Sequence, residues 1–425
     1  MRIGAKIIVI GSASMLAIAS GQSVAGQRYK ILPDDGMEND YFGSSLAVHG
    51  TTAIIGALRH NEAGADSGAA YVFDLTTGEQ VYELLPDIGA ARELFGRSVA
   101  INGVIIAIGA SSDDGAGDEV GAVYLFDAAT GQQRMKIQPE ELDYNDVFGG
   151  SIAISGTTLV VGAIGDDDMG EAFGAVYLFD KTTGEQLHKY FASDGVENDY
   201  FGSSVAIEGT TVVVGAVWKD DGAFNTGAAY VFDTRTGKQI YKLEAESSAI
   251  REFGHSIAVS GTTAIISAPL EDIDGNFYAA GAVYLFDLTT GQQTMVLQPD
   301  DVSVGKQFGT SVAIDGTTAV VGAILDRERG NSAGAAYLFD IVTGQQIKKL
   351  HPDDAVPFKE FGSCAALYGT TALIGVRRGD ENGVRSGEAY VFGTVGCSAS
   401  DINGDGIVDS ADLGILIAEF GTGCP

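Results

Sequence analysis

Positive charge is scarce in this sequence: 425 residues carry 25 Lys and Arg against 57 Asp and Glu, a formal net charge of −32. A surface this acidic repels phosphate backbones, which argues against nucleic acid as a partner. It suits solubility, a salty environment or cation binding, and does not choose among them. No long helical pattern precedes the C-terminal end, and no apolar run after residue 25 is long enough to span a bilayer. Catalytic sets are missing too. The histidines, His49, His60, His188, His255 and His351, stand at unrelated places, and there is no His-Glu-x-x-His, nucleophile elbow or phosphate loop. Acidic runs such as Asp113-Asp114 and Asp166-Asp167-Asp168 read as solvated turn carboxylates. These absences point away from an enzyme.

Glycine, by contrast, is plentiful, at 59 residues, and it punctuates a repeat. A Phe-Gly pair recurs at Phe42, Phe95, Phe148, Phe201, Phe253, Phe308 and Phe361, at spacings of 53, 53, 53, 52, 55 and 53 residues. Each copy runs from Phe-Gly through an apolar segment to Gly-Ala, then to Gly-Ala-x-Tyr-x-Phe-Asp and a Thr-Gly turn, with small variations. A period in this range carrying several strands predicts a propeller or similar array. It overrides the two or three domains that length alone would suggest.

Four strands, A to D, are predicted per copy: residues 44–48, 52–57, 69–73 and 80–85 in the first. Alternating Tyr and Phe with small neighbours is the period-two pattern of strands packed on both faces. Gly-Thr-Thr separates A from B, and Asp-x-Thr-Thr-Gly or a near variant separates C from D. Both turns are tight, while the B–C and D–A connections are long and variable. In an up-and-down blade these long loops share one face, where ligands are expected. Residues 26–35, GQRYKILPDD, carry the same text as residues 344–354, GQQIKKLHPDD, whereas the seventh copy stops at Tyr390-Val391-Phe392. The N-terminus therefore holds the strand that the last copy lacks. A ring closed by that strand has no exposed edge. The expected fold is all-β: a seven-bladed β-propeller of four-stranded blades closed by an N-terminal strand, plus a small C-terminal calcium loop–helix.

Residues 1–25 read as a secretory signal, with Arg2 and Lys6, an apolar core over 7–19 and the small-x-small text Ser23-Val24-Ala25. The expected domains are a signal peptide (1–25), the propeller (26–396) and a tail (397–425). The protein is expected to be secreted or at the cell surface, without a membrane span after signal cleavage.

The Phe-Gly then Gly-Ala arrangement, over residues 26–393, resembles the FG-GAP repeat of integrin α-subunit propellers and their bacterial relatives. The resemblance implies the same propeller fold. Calcium-binding members of that family carry an Asp-x-Asp-x-Asp-Gly loop between strands A and B. Here Gly50-Thr51-Thr52 and Gly209-Thr210-Thr211 stand in that place, so those calcium sites are not expected. The Phe-Gly pair itself is expected to serve packing, an aromatic wedged between blades beside a Gly that allows close backbones.

A different text begins at Cys397. Residues 401–412, DINGDGIVDSAD, form a twelve-residue calcium loop. Side-chain oxygens of Asp401, Asn403, Asp405, Asp409 and Asp412 and the carbonyl of Ile407 supply the hard ligands, and Gly406 permits the sharp turn. Leu413, Leu416, Ile417 and Phe420 follow at helical spacing. Loop and helix resemble one half of a dockerin, which implies a cohesin-like partner. Cys397 and Cys424 bracket the tail and are expected to pair in an exported protein, a loop closure contributing roughly 3–4 kcal/mol. Cys364, in the place of a Ser or Gly, reads as a small core residue.

The B–C loops differ around the ring. Phe173, Trp218, Phe224, Phe277 and Tyr278 fall in blades three to five, and suggest an aromatic platform for sugars or a partner. Arg327, Arg329, Arg377 and Arg378, with Arg385, Arg59 and His60, fall in blades six, seven and one, and suggest cationic contacts. The competing expectation is that the arginines pair with local carboxylates and the aromatics anchor loops. Together these readings describe an exported, non-catalytic propeller for adhesion or for binding extracellular protein or glycan, with calcium holding its attachment tail. The alternatives are an accessory component of an extracellular polysaccharide-degrading assembly, recruited by the tail, and a glycan-cleaving propeller enzyme.

Overall fold

The computed structural model describes residues 26–113, 120–220, 225–245, 251–273 and 278–393. The expected signal segment, Phe224, Phe277, Cys397, Cys424, the expected calcium-loop residues Asp401, Asn403, Asp405, Ile407, Asp409 and Asp412, and the helix expected after them lie outside the described residues. Among the described residues, 28 strands numbered β1–β28 in chain order form seven four-stranded antiparallel sheets. The first blade is β2 (Phe42–His49), β3 (Thr52–Ala57), β4 (Ala69–Asp74) and β5 (Glu79–Leu84). Strand A is longer than expected because it begins at the Phe of Phe-Gly, and D starts and ends one residue earlier than expected. No helix among the described residues is long and apolar enough to cross a membrane.

Burial follows the strand's place in the blade. Strands B and C are covered on both faces by neighbouring blades, so β4 reads Ala-Ala-Tyr-Val-Phe with every one of those residues buried. Strand D lies at the outer edge, and β5 alternates exposed and partly buried residues. The A strands of successive blades touch one another around the ring, and β26 (Ala365–Tyr368) of the last blade touches β2 of the first.

The ring's last sheet has the order β1-β28-β27-β26. Strand β1 (Gly26–Ile31) pairs antiparallel with β28 (Glu388–Gly393), placing Tyr29 opposite Val391 and Ile31 opposite Ala389. Gln27 accepts the Asp353 amide at 2.8 Å, as Gln80 accepts that of Asp34 at 3.1 Å and Gln133 that of Asp87 at 2.9 Å. The N-terminal strand thus makes the contacts of an ordinary strand D. The other blades open their C–D turn with an Asp, as where the Asp74 carboxylate accepts the Thr76 amide at 2.8 Å. The seventh has Gly393 at that position, and the fourth strand of its sheet is β1.

The Phe-Gly and Gly-Ala pairs are two halves of one joint. Phe42 is fully buried, edge-on to Tyr71 at 5.6 Å and Phe73 at 5.9 Å. It shares a core with Leu373 and Val391 of the neighbouring blade. A Cβ on Gly56, the Gly of Gly-Ala, would lie 2.1 Å from the carbonyl oxygen of Gly96, the Gly of the next Phe-Gly. Ser45 donates to that same oxygen at 2.8 Å, and Ser98, Ser151 and Ser311 repeat the bond around the ring. The fifth blade departs from this joint because Ser267 replaces the Gly. The Ser267 hydroxyl accepts the Ser256 amide at 3.0 Å, and Ser256 turns its hydroxyl to accept the Val312 amide at 3.1 Å.

Candidate functional site

The B–C and D–A loops are tied together between blades. Leu94 takes a left-handed φ of 54° so that its amide reaches Asp66 O at 3.2 Å and Phe95 N reaches Ser67 O at 2.9 Å. Tyr200, with φ 56°, does the same to Ala172 O at 3.2 Å. Even the β-branched Val147 adopts φ 58°, a costly conformation that only a well-determined surrounding sustains. Among the described residues these loops are therefore held in shape by one another, which lowers the ordering cost of any binding there.

Several loops of this face carry an exposed apolar side chain. Ile88, Tyr144, Val304 and Phe358 project from D–A loops, and Met169 and Val384 from B–C loops. The D–A members escaped the sequence reading, which compared only the B–C loops. Their signal is an apolar residue three to seven positions before Phe-Gly in most copies.

Of the expected platform, Trp218 is 43% exposed and packs edge-on to Tyr200 at 4.4 Å, and Tyr278 is 60% exposed with the Arg251 guanidinium 6.0 Å from its ring centre. Phe173 is buried, edge-on to Phe191 at 6.1 Å, and anchors its loop. Of the expected cationic sector, Arg327 and Arg329 are exposed. Arg377 and Arg378 both pair with the buried Glu360 at 2.9 Å. A cleft of about 210 Å³ lies in the last blade, lined by Lys30, Lys359, Asp354, Glu381, Glu388 and Tyr390.

Beneath this face each blade carries a polar cluster around the strand-C tyrosine. In the sixth blade Tyr337 stands opposite Lys349 across the C–D ladder. The Lys349 ammonium reaches Asp301 at 2.7 Å, Asp326 at 2.8 Å and Glu328 at 2.7 Å, and the buried Lys306 reaches Asp301 at 2.7 Å. Burial acts to raise the Asp301 pKa, but the two ammonium groups overcome it and hold the carboxyl down to about 2. Lysine takes the same cross-strand place in four further blades, as Lys136, Lys189, Lys242 and Lys30.

The first blade has Glu83 opposite Tyr71 instead, and His60 where the sixth has Asp326. Burial, with Asp35 and Glu62 nearby, pushes the Glu83 carboxyl up to about 7. Burial opposes a charge on His60, yet its bond to Asp40 outweighs this and raises the imidazole pKa. In the third blade both facing positions are acids, Asp146 and Asp166, and burial pushes Asp146 up to about 6.

A closed ring of like sheets with one face of long, mutually braced loops defines a β-propeller of the binding or structural kind. Residues 25–73, 79–126, 132–179, 185–232, 241–286, 292–339 and 345–392 match the model of the FG-GAP repeat, and the chain belongs to that family. The first matched segment takes in β1 to β4, one strand out of step with the sheet β2–β5, which is the offset that ring closure by β1 requires. No curated protein matches the chain.

Proposed function

We propose that this chain is an exported, non-catalytic propeller that binds an extracellular protein or glycan on its B–C/D–A face. The observation that carries this reading is the presence of exposed apolar and aromatic side chains on the loop face of a strongly acidic molecule, in several of its blades. Patches of that kind on a soluble surface mark recognition sites, with aromatics supplying contact area at small entropic cost. Trp218 and Tyr278, from neighbouring blades, form the platform, to which Phe224 and Phe277 belong by sequence. Arg327 and Arg329 offer cationic contacts at its far side, while Arg377 and Arg378 are held by Glu360. The tail, residues 397–425, attaches the propeller elsewhere: Asp401, Asn403, Asp405, Ile407, Asp409 and Asp412 hold calcium, and a Cys397–Cys424 disulfide closes the segment.

The dockerin-like text of the tail favours a second reading, in which a cohesin-like partner recruits the propeller to an extracellular polysaccharide-degrading assembly. The test is binding of the full exported chain to immobilised polysaccharides and extracellular proteins. The paired substitution Trp218→Ala and Tyr278→Ala abolishes binding without changing the melting temperature if the face is the site. Binding that persists in the folded variant but disappears on calcium chelation, or on ending the chain at residue 396, assigns it to the tail.

A further inference from the structure

The first blade breaks the charge pattern of the ring at one point, where five of the other blades carry a lysine and the fifth blade has Val296. Every group around the Lys349 ammonium of the sixth blade has a counterpart in the first. Asp301 corresponds to Asp35, Asp326 to His60, Glu328 to Glu62, and Lys349 itself to Glu83. The cation of the sixth blade is thus exchanged for a fourth ligand-type side chain. One oxygen each of Asp35, Glu62 and Glu83 and one ring nitrogen of His60 lie within 4.8 Å of one another. The sixth-blade set Asp326, Glu328 and His351 is equally close, but there Lys349 supplies the positive charge.

The imidazole is the second observation. His60 is 1% exposed, and its Nε2 is buried without a hydrogen-bond partner in the protein. That nitrogen points at the three carboxylates, 3.5 Å from Asp35, 3.6 Å from Glu83 and 3.8 Å from Glu62. These separations approach the roughly 3.3–3.6 Å edge of a tetrahedron whose metal–ligand bonds are about 2.0–2.2 Å. On its other side, Nδ1 lies 3.1 Å from the buried carboxylate of Asp40. Donation of Nδ1–H to Asp40 fixes the tautomer that aims the Nε2 lone pair into the cluster, the usual carboxylate support of a ligating histidine. Asp35 and Glu62 are substantially exposed, so an ion has a path from solvent.

We propose that the first blade holds a divalent transition-metal ion, zinc foremost, on His60 Nε2 and the carboxylates of Asp35, Glu62 and Glu83, with Asp40 as the positioning residue. The ion takes the place filled by a lysine ammonium in five other blades. One imidazole with three carboxylates suits zinc better than the all-oxygen preference of calcium. The site lies among the B–C and D–A loops, away from the A–B hairpins, and does not depend on the ligand proposed for the aromatic platform.

The experiment is zinc content and thermal melting of the full chain, stripped with chelator and re-equilibrated with zinc in calcium-saturated buffer. Three variants are compared with it. Glu83→Lys introduces the lysine of five other blades, His60→Gln removes the nitrogen ligand, and Asp40→Asn weakens its support. All carry the same tail, so zinc held there cancels. The expected result is one more zinc equivalent on the wild type than on Glu83→Lys or His60→Gln, a zinc-dependent rise in melting temperature that those two variants lack, and about 10- to 100-fold weaker binding by Asp40→Asn. Equal zinc content in the wild type and in either folded variant overturns the proposal, and leaves His60 as an imidazolium taking the lysine's part.

Discussion

The sulphur of Cys364 lies 2.8 Å from the carbonyl oxygen of Gly43, across the seam where the last blade meets the first. It occupies the place of Ser45, whose hydroxyl donates to Gly96 at the next joint. The ring therefore closes with the same inter-blade bond that holds its joints outside the fifth blade, made by a weaker donor. The strand that completes the last sheet and the side chain that seals the seam come from opposite ends of the propeller sequence.

Burial pushes the Cys364 thiol up to about 12, so almost none of it is thiolate near pH 8. Iodoacetamide is expected to label Cys364 at least ~100-fold more slowly in the native chain than in urea, as read by peptide mass spectrometry. Cys364→Ser gives the seam the hydroxyl of the other joints and should change stability by no more than about 1 kcal/mol. Fast native labelling would show that the seam opens.

Gly56→Ala tests the joint itself. The new Cβ would meet the Gly96 carbonyl oxygen at 2.1 Å and the Ser45 hydroxyl at 2.3 Å, and relief requires two blades to part. The expected cost is on the order of 3 kcal/mol. Gly50→Ala, with φ +60° but nothing within 4 Å, should cost only about 1 kcal/mol, through backbone strain. Equal urea midpoints for the two variants would contradict the joint.

Asp146 makes stability depend on pH in a stated direction. Burial raises its folded pKa to about 6, above the ordinary aspartate value of about 4. Between those values the unfolded chain gives up the proton first, so this group's contribution favours unfolding as pH rises through the window. Asp146→Asn can still accept the Asp143 amide that Asp146 holds at 2.8 Å, and it removes the titration. The variant should be more stable than the wild type by on the order of 1–2 kcal/mol at pH 7. Below about pH 4 the two should melt alike. A variant less stable at pH 7 would place a compensating charge on Asp146.

Much of the fold could be read because it is written seven times. Phe-Gly and Gly-Ala mark the two faces of each joint, and the borrowed strand is visible as the text GQRYKI at one end and its absence at the other. Strand A is short in two blades, β18 (Ile257–Ser260) and β26, and Ser267 replaces the Gly of the joint in only the first of them. The sites were harder to read, because burial in a long loop leaves no periodic trace. Phe173 and Trp218 look alike as B–C aromatics, yet one is enclosed against Phe191 and the other is open. Glu83 could be seen among the strand-D lysines, but its meaning came from the register that sets it opposite Tyr71 and close to His60. The apolar D–A residues carry a sequence signal only once the repeats are aligned on Phe-Gly.

Ligand binding on the B–C/D–A face is tested by hydroxyl-radical footprinting of the full chain with and without a bound polysaccharide or protein from the binding panel. Protection is expected at Trp218, Tyr278, Tyr144 and Phe358, with Tyr368 and Val104 near the opposite hairpins unchanged. Protection of those hairpin residues, with the loop-face residues still reactive, would contradict it.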